Sequence, residues 1–154
     1  MGKRRIRNLL KLGYNDILGF DTQKTRRTES FQKYKIKTFE KINDALKCNP
    51  NAMIVSTPPD LHLKYANIAI DNNIDFFMEL NHSSIHVKHI IDKISGKKIL
   101  AAPSCTMRYH SIVIELEKLL KKKKIGKILQ IHHYNGQNLE LWHPWEDYKK
   151  FFVS

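Results

Sequence analysis

The sequence predicts an α/β fold, a doubly wound parallel sheet with helices on its faces. Three observations carry that expectation. Apolar periodicity switches between the helical and the strand pattern roughly every ten to fifteen residues. Two short runs, residues 52–56 and 75–79, are almost continuously apolar, as strands buried on both faces of a parallel sheet are. No internal repeat or low-complexity stretch interrupts the alternation.

Each element follows from a local pattern. Residues 4–12 place Ile6, Leu9 and Leu10 at helical spacing and stop at Gly13, a natural helix end. Residues 16–20, with Ile17, Leu18 and Phe20, read as a short buried strand ending at Asp21. Thr38 is suited to cap a helix running through Phe39, Ile42, Ala45 and Leu46 to about Lys47. The strand over 52–56 meets Thr57-Pro58-Pro59, Asp60 is suited to cap a helix over 61–71, and 75–79 is the next strand. A helix over 85–94, a strand over 99–102 and a helix over 112–122, with Ile112, Leu116, Leu119 and Leu120 along one side, continue the alternation. After the Ile125-Gly126 turn, 127–134 read as a strand, and past Gly136 the chain turns aromatic and irregular, with Trp142, His143, Pro144 and Trp145. A doubly wound nucleotide-binding unit should open with a buried strand and a Gly-rich turn, and this chain starts at the turn itself.

Composition bounds the function classes. With 42% hydrophobic and 27% charged residues the chain has the make-up of a soluble domain with a real core. No apolar run approaches the ~18–20 residues that span a bilayer, and the basic stretch 1–7 leads into no signal-type core, so a cytoplasmic protein without a membrane partner is expected. Cys48 and Cys105 have neither metal-ligand spacing nor a Cys-x-x-Cys pattern and read as free buried thiols, with no metal site. The net charge of +12 raises nucleic-acid binding, which needs clustered cations. The cations are instead scattered over helix faces. Their one tight run, Lys121 to Lys124, closes a helix whose negative dipole end it opposes, so nucleic acid is disfavoured as a partner.

Taken in order, several segments carry a resemblance: Met1-Gly2-Lys3-Arg4-Arg5-Ile6-Arg7-Asn8-Leu9-Leu10, Phe20-Asp21, Ser56-Thr57-Pro58-Pro59-Asp60-Leu61-His62, Phe76-Phe77-Met78-Glu79 and Arg108-Tyr109-His110. Over nearly the whole chain they resemble the glucose-fructose oxidoreductase / inositol dehydrogenase (Gfo/Idh/MocA) family. The resemblance implies a Rossmann-type dinucleotide-binding domain over 1–110 that lacks its first strand. Over 111–154 it implies a connecting helix and the start of a C-terminal substrate or oligomerisation domain. It further implies hydride transfer between NAD or NADP and a sugar, polyol or sugar derivative, and a homo-oligomer formed through the C-terminal sheet.

The same resemblance assigns site residues. Gly2 takes the place of the third glycine of G-x-G-x-x-G, which lets the helix pack closely on the sheet. Asp21, roughly twenty residues on, suits an acceptor for the adenosine ribose hydroxyls. An acid there favours NAD by repelling a 2′-phosphate, although Lys24, Arg26 and Arg27 are near enough in sequence to hold one. From the residues alone, Gly2 as a plain terminal residue and Asp21 as a turn former stay open. Thr57 and Pro58 fall at the carboxyl end of a strand, where open α/β sheets bind ligands, and in the family this turn lies against the dinucleotide, with His62 opening the helix that follows. A rigid strand-to-helix turn accounts for Pro58-Pro59 equally well. Glu79 takes a contact near the nicotinamide ribose. Arg108 matches an arginine near the active-site cleft, a surface ion pair being its alternative.

One position departs from the pattern. The family's Glu-Lys-Pro reads Glu79-Leu80-Asn81 here. Oxidising a secondary alcohol requires the hydroxyl proton to leave as the carbonyl forms, and the family's lysine assists that transfer. Leu80 cannot titrate, so no catalytic residue is assigned. His82 is the nearest titratable substitute, and His143 is a candidate on the substrate side. The family's second catalytic element, an aspartate and a histidine, would fall after Ser154. The expectation is an oxidoreductase-family chain that is incomplete or catalytically impaired. An inactive remnant or cofactor-binding fragment is the alternative, and a basic nucleic-acid or partner-binding domain is a third. Without a central first strand, its two neighbours are expected to lack pairing partners.

Overall fold

The first helix, α1, spans Gly2–Lys11 and sets Ile6, Leu9 and Leu10 on its half-buried side. It stops where the sequence says it should. Gly13 takes φ +88°, its N–H reaches Leu10 O at 3.1 Å, and the Tyr14 N–H reaches Leu9 O at 3.0 Å, which together satisfy the last-turn carbonyls. This computed structural model describes residues 1–79, 84–134, 136, 138, 141 and 147. The chain divides into two units, Met1–Ser104 and Cys105–Ser154.

In the first unit, Leu18–Phe20 (β1) pairs in parallel with Lys37–Phe39 (β2) through the crossover helix α2, Lys24–Tyr34. After the short helix α3, Ile42–Leu46, come Ala52–Val55 (β3), α4 (His62–Asp71), Asp75–Met78 (β4), α5 (Ser84–Ile94) and Ala101–Pro103 (β5). These three strands form a second parallel sheet in the order β3-β4-β5. The α/β class with parallel sheets is therefore as expected. Among the described residues no strand pairs with the second edge of β1 or of β3.

The core explains the strand sequences. Met53, Val55, Phe76 and Met78 share one face of the β3-β4-β5 sheet and pack with Tyr65, Ala66, Ala69 and Ile70 of α4, Ile74, and Ile90 of α5. Full burial of a side chain such as Ile70 contributes about 1.5–3 kcal/mol. The expected burial on both faces does not hold, because Ile54 on the opposite face is 37% exposed and the strands alternate instead. The helices α4 and α5 cover one face only, and Phe77 on the other is met by the Arg5 guanidinium.

Several local expectations give way to tertiary context. Thr38 caps no helix: it lies within β2 opposite Gly19, and α3 starts at Ile42 after Lys41. Pairing with β1 outweighs the capping preference there. Asp60 sits within a 3-10 turn, Pro59–Leu61, and α4 begins without a side-chain cap. Helix α2 and strand β2 have no counterpart in the expected elements. Cys48 and Cys105 are free but exposed, Cys48 at the turn after α3 and Cys105 ahead of a 3-10 turn.

In the second unit a 3-10 turn, Thr106–Tyr109, leads into α6, Ser111–Lys121, capped by His110 Nδ1 accepting from Ile112 N at 3.3 Å. Residues 127–134 form no strand and are exposed. A strand needs a second backbone to satisfy its N–H and C=O groups, and no described strand pairs with this one. Among the described residues no helix is long and apolar enough to cross a membrane.

Candidate functional site

The candidate residues of the first unit fall immediately past the carboxyl ends of its strands. Asp21 follows β1, Ser56 and Thr57 follow β3, Glu79 follows β4 and Ser104 follows β5. Within each of the two sheets, parallel strands joined by crossover helices put these ends on one edge, and that is where backbone ladders run out and side chains take over.

At the end of β1, Asp21 Oδ1 accepts from Gln23 N at 2.8 Å, so the turn-forming role open from sequence is present. Arg26 Nη1 lies 3.7 Å from Asp21 Oδ2. Arg27 Nη1 donates to Asp21 O at 2.9 Å and Thr22 O at 2.8 Å and Nη2 pairs with Glu40 at 2.8 Å, which engages both terminal nitrogens. Burial pushes the Tyr65 phenol above its ordinary range, and the Asp21 charge adds to that.

At the end of β3, His62 is 1% exposed and its Nε2 donates to Thr57 O at 2.9 Å. The sequence marked His62 only as opening a helix; in the fold it pins the strand-to-helix turn from inside. Pro58 is extended (φ −55°, ψ 149°), and Leu61 N returns to Pro58 O at 3.0 Å. The buried Ser56 Oγ, Thr57 Oγ1 and His62 Nδ1 have no hydrogen-bond partner. Leaving a buried polar atom unmet costs roughly 1–3 kcal/mol, so three such atoms at one strand end mark a place suited to an incoming polar ligand.

At the end of β4, Glu79 N donates to Val55 O at 3.4 Å. Glu79 Oε1 forms an ion pair with Arg5 Nη2 of α1. Arg5 Nη2 also lies 3.4 Å from Ser104 Oγ, and its guanidinium stands 4.8 Å from the Phe77 ring centroid. Ser104 is held in turn by donating its N–H to Met78 O at 2.8 Å. Sequence reasoning missed Arg5. It is one of 27 cations, and nothing in its neighbourhood along the chain distinguishes it.

Gly2 is the first residue of α1 and exposed, and a Cβ added there would meet nothing within 4 Å. The close packing that would demand glycine is therefore absent at this position. Arg108 lies in the 3-10 turn of the second unit, exposed. There the Lys121 hydrogen bond holds the Glu117 carboxyl below its ordinary range, and Arg108 adds a smaller electrostatic contribution. Leu80, His82 and His143 lie outside the described residues. Among the described residues no group of three or more His, Cys, Asp or Glu could hold a metal ion.

The fold defined by these parallel strands, crossover helices and carboxyl-end residues is of the Rossmann-like α/β class. Solved structures share it. The WlbA dehydrogenase from Bordetella pertussis, in complex with NADH and UDP-GlcNAcA, matches with a TM-score of 0.73 at 16% identity over 82% of this chain and 40% of its own. Levoglucosan dehydrogenase, in complex with NADH and levoglucosan, gives a TM-score of 0.66 at 17% identity over 74% of this chain and 32% of its own. Apo scyllo-inositol dehydrogenase from Lactobacillus casei gives 0.65 at 15% identity over 71% and 34%. The aligned part thus spans 32% to 40% of the length of these three enzymes. At such identities the likeness shows the fold. No family model and no curated protein sequence matches the chain.

The residues present fit a dinucleotide in kind. Asp21 offers a carboxylate at a strand end, Ser56 and Thr57 offer unpaired buried hydroxyls, and the first turn of α1 offers backbone N–H groups without intrahelical acceptors.

Proposed function

We propose that residues 1–110 are an NAD(P)-binding domain of the Gfo/Idh/MocA oxidoreductase family, and that 111–154 connect it to a substrate domain. The carrying observation is that Asp21, Thr57-Pro58 and Glu79 each stand directly past a parallel strand of one unit, together with the unpartnered hydroxyls of Ser56 and Thr57. Bound NAD(P) supplies the hydride acceptor for a sugar, polyol or sugar derivative; the chain's own residues bind and orient it. The first turn of α1 at Gly2 receives a phosphate, Asp21 accepts from the adenosine ribose, and Thr57 and Pro58 line the turn that His62 holds in place. Glu79 accepts from the nicotinamide ribose, and the family resemblance counts Arg108 among the cofactor-binding residues. NAD is preferred over NADP. The Asp21 carboxylate repels a 2′-phosphate even with Arg26 beside it, and Arg27 is engaged by Glu40.

The resemblance places a proton-transferring lysine where this chain has Leu80, so binding without turnover is the expected behaviour. The test is a fluorescence titration of the chain with NADH and NADPH. Saturable binding of NADH, tighter than NADPH, with the preference narrowed by Asp21→Ala, supports the reading. Absence of a saturable signal up to millimolar NADH overturns it. Alcohol-dependent NADH production by the native chain from a panel of sugars and polyols would overturn the impairment alone.

A further inference from the structure

We propose that Arg5 is a positioning residue for Glu79: it holds one carboxylate oxygen so that the other is presented, already oriented, to a ribose diol. The proposal rests on the reading of Glu79 as a cofactor ligand and adds a residue to which the family resemblance assigns no role.

Arg5 is fixed from three directions. Its guanidinium lies over Phe77 of β4, its Nη2 pairs with Glu79 Oε1 past β4, and the same Nη2 lies 3.4 Å from Ser104 Oγ past β5. The two side chains are 23% and 24% exposed, so solvent and salt screen this pair less than the pair between Lys3 of α1 and Glu29 of α2, at 43% and 48%. Only Oε1 is engaged by the arginine. A carboxylate has acceptor capacity on both oxygens, and among the described residues none engages Oε2, which leaves it to hydroxyl donors while Oε1 is already held. Orienting the acceptor before the ligand arrives removes an ordering cost from binding. The pair also fastens the first turns of α1 to the ends of β4 and β5, the same helix whose N-terminus is assigned to a phosphate.

The experiment is a double-mutant cycle read by NADH fluorescence on the native chain, Arg5→Met, Arg5→Lys, Glu79→Gln and the Arg5→Met/Glu79→Gln double variant. Arg5→Met should weaken NADH binding about tenfold, Arg5→Lys should recover part of the loss, and Arg5→Met should cost nothing further once Glu79 is Gln. Without ligand, the thermal midpoint of the double variant should fall by less than the two single losses added together. Native or tighter binding by Arg5→Met, an equal loss in both backgrounds, or additive midpoints would each overturn the proposal. If Glu79→Gln binds NADH as the native chain does, the assignment of Glu79 fails and this inference with it. If Glu79→Gln weakens binding and Arg5→Met does not, the inference alone falls.

Discussion

Phe20 at the end of β1 and Tyr65 on α4 meet with ring centroids 5.7 Å apart and planes tilted by 58°. The contact joins the β1-β2 sheet to the helix layer that covers β3-β4-β5, and Phe20 packs on the edge of that core. No described strand hydrogen-bonds the two sheets to each other, so side-chain packing carries this connection. A tilted aromatic pair at such a distance adds about 0.5–1.5 kcal/mol beyond its buried area. Phe20→Ala is therefore expected to cost about 3 kcal/mol in urea unfolding, and Phe20→Leu about 1 kcal/mol. A Phe20→Ala loss no larger than that of Phe20→Leu would show that the ring contact carries little.

Tyr65 also makes stability depend on alkaline pH. Burial first, and the Asp21 charge second, raise its phenol above the ordinary value of 10.0. The unfolded chain ionises at that ordinary value and the folded chain above it. The stabilisation from the neutral phenol is thus complete below about pH 10 and is lost as pH rises through the folded value. Urea midpoints of the native chain and Tyr65→Phe, compared between roughly pH 9 and pH 11, should diverge, the native protein losing more. Parallel profiles would remove Tyr65 as the source.

Lys35 ends α2 in the left-handed region, φ 56° and ψ 25°, with its N–H on Phe31 O at 2.9 Å. Glycine is the residue that takes this conformation without steric cost. Lys35 is exposed, so its side chain gives little back. Lys35→Gly is expected to stabilise the chain by about 0.5–1 kcal/mol, measured as an increased denaturation midpoint. Destabilisation would mean that the lysine makes up the difference elsewhere.

His62 combines one satisfied nitrogen with one buried and unmet nitrogen. His62→Leu removes the unmet Nδ1 along with the hydrogen bond to Thr57 O and nearly keeps the volume, so a loss of only about 1 kcal/mol is expected. His62→Ala also opens a cavity, and the expected loss is about 2–4 kcal/mol. Chemical denaturation of the two variants separates them; equal losses would place the whole effect in the hydrogen bond.

Local pattern made α1, β3, α4, β4, α5 and α6 legible, because their apolar residues recur at helix or strand spacing. Helix α2 escaped because Phe31 and Tyr34 are its only large apolar side chains, so no apolar stripe marks it. Strand β2 escaped because its three residues are strand only by virtue of β1, far away along the chain. The reverse happened at 127–134, where an adequate strand pattern has no described partner to complete its hydrogen bonds. Of the site, the strand-end residues Asp21, Thr57, Pro58 and Glu79 were visible as punctuation after apolar runs. The burial of His62 and the presence of Arg5 were not.

The sequence by itself determined the α/β class, the order of most elements and the identity of the residues that stand where strands end. Those properties are local, written in apolar spacing and in Gly, Pro and Asp at boundaries. Only the tertiary structure decided that the sheet is two sheets, that one face of β3 and β4 is left partly open, and that Arg5 of α1 reaches Glu79 across the fold. Pairing, burial and charge contacts between distant segments depend on which backbones and side chains meet in space, and no window along the chain contains both partners.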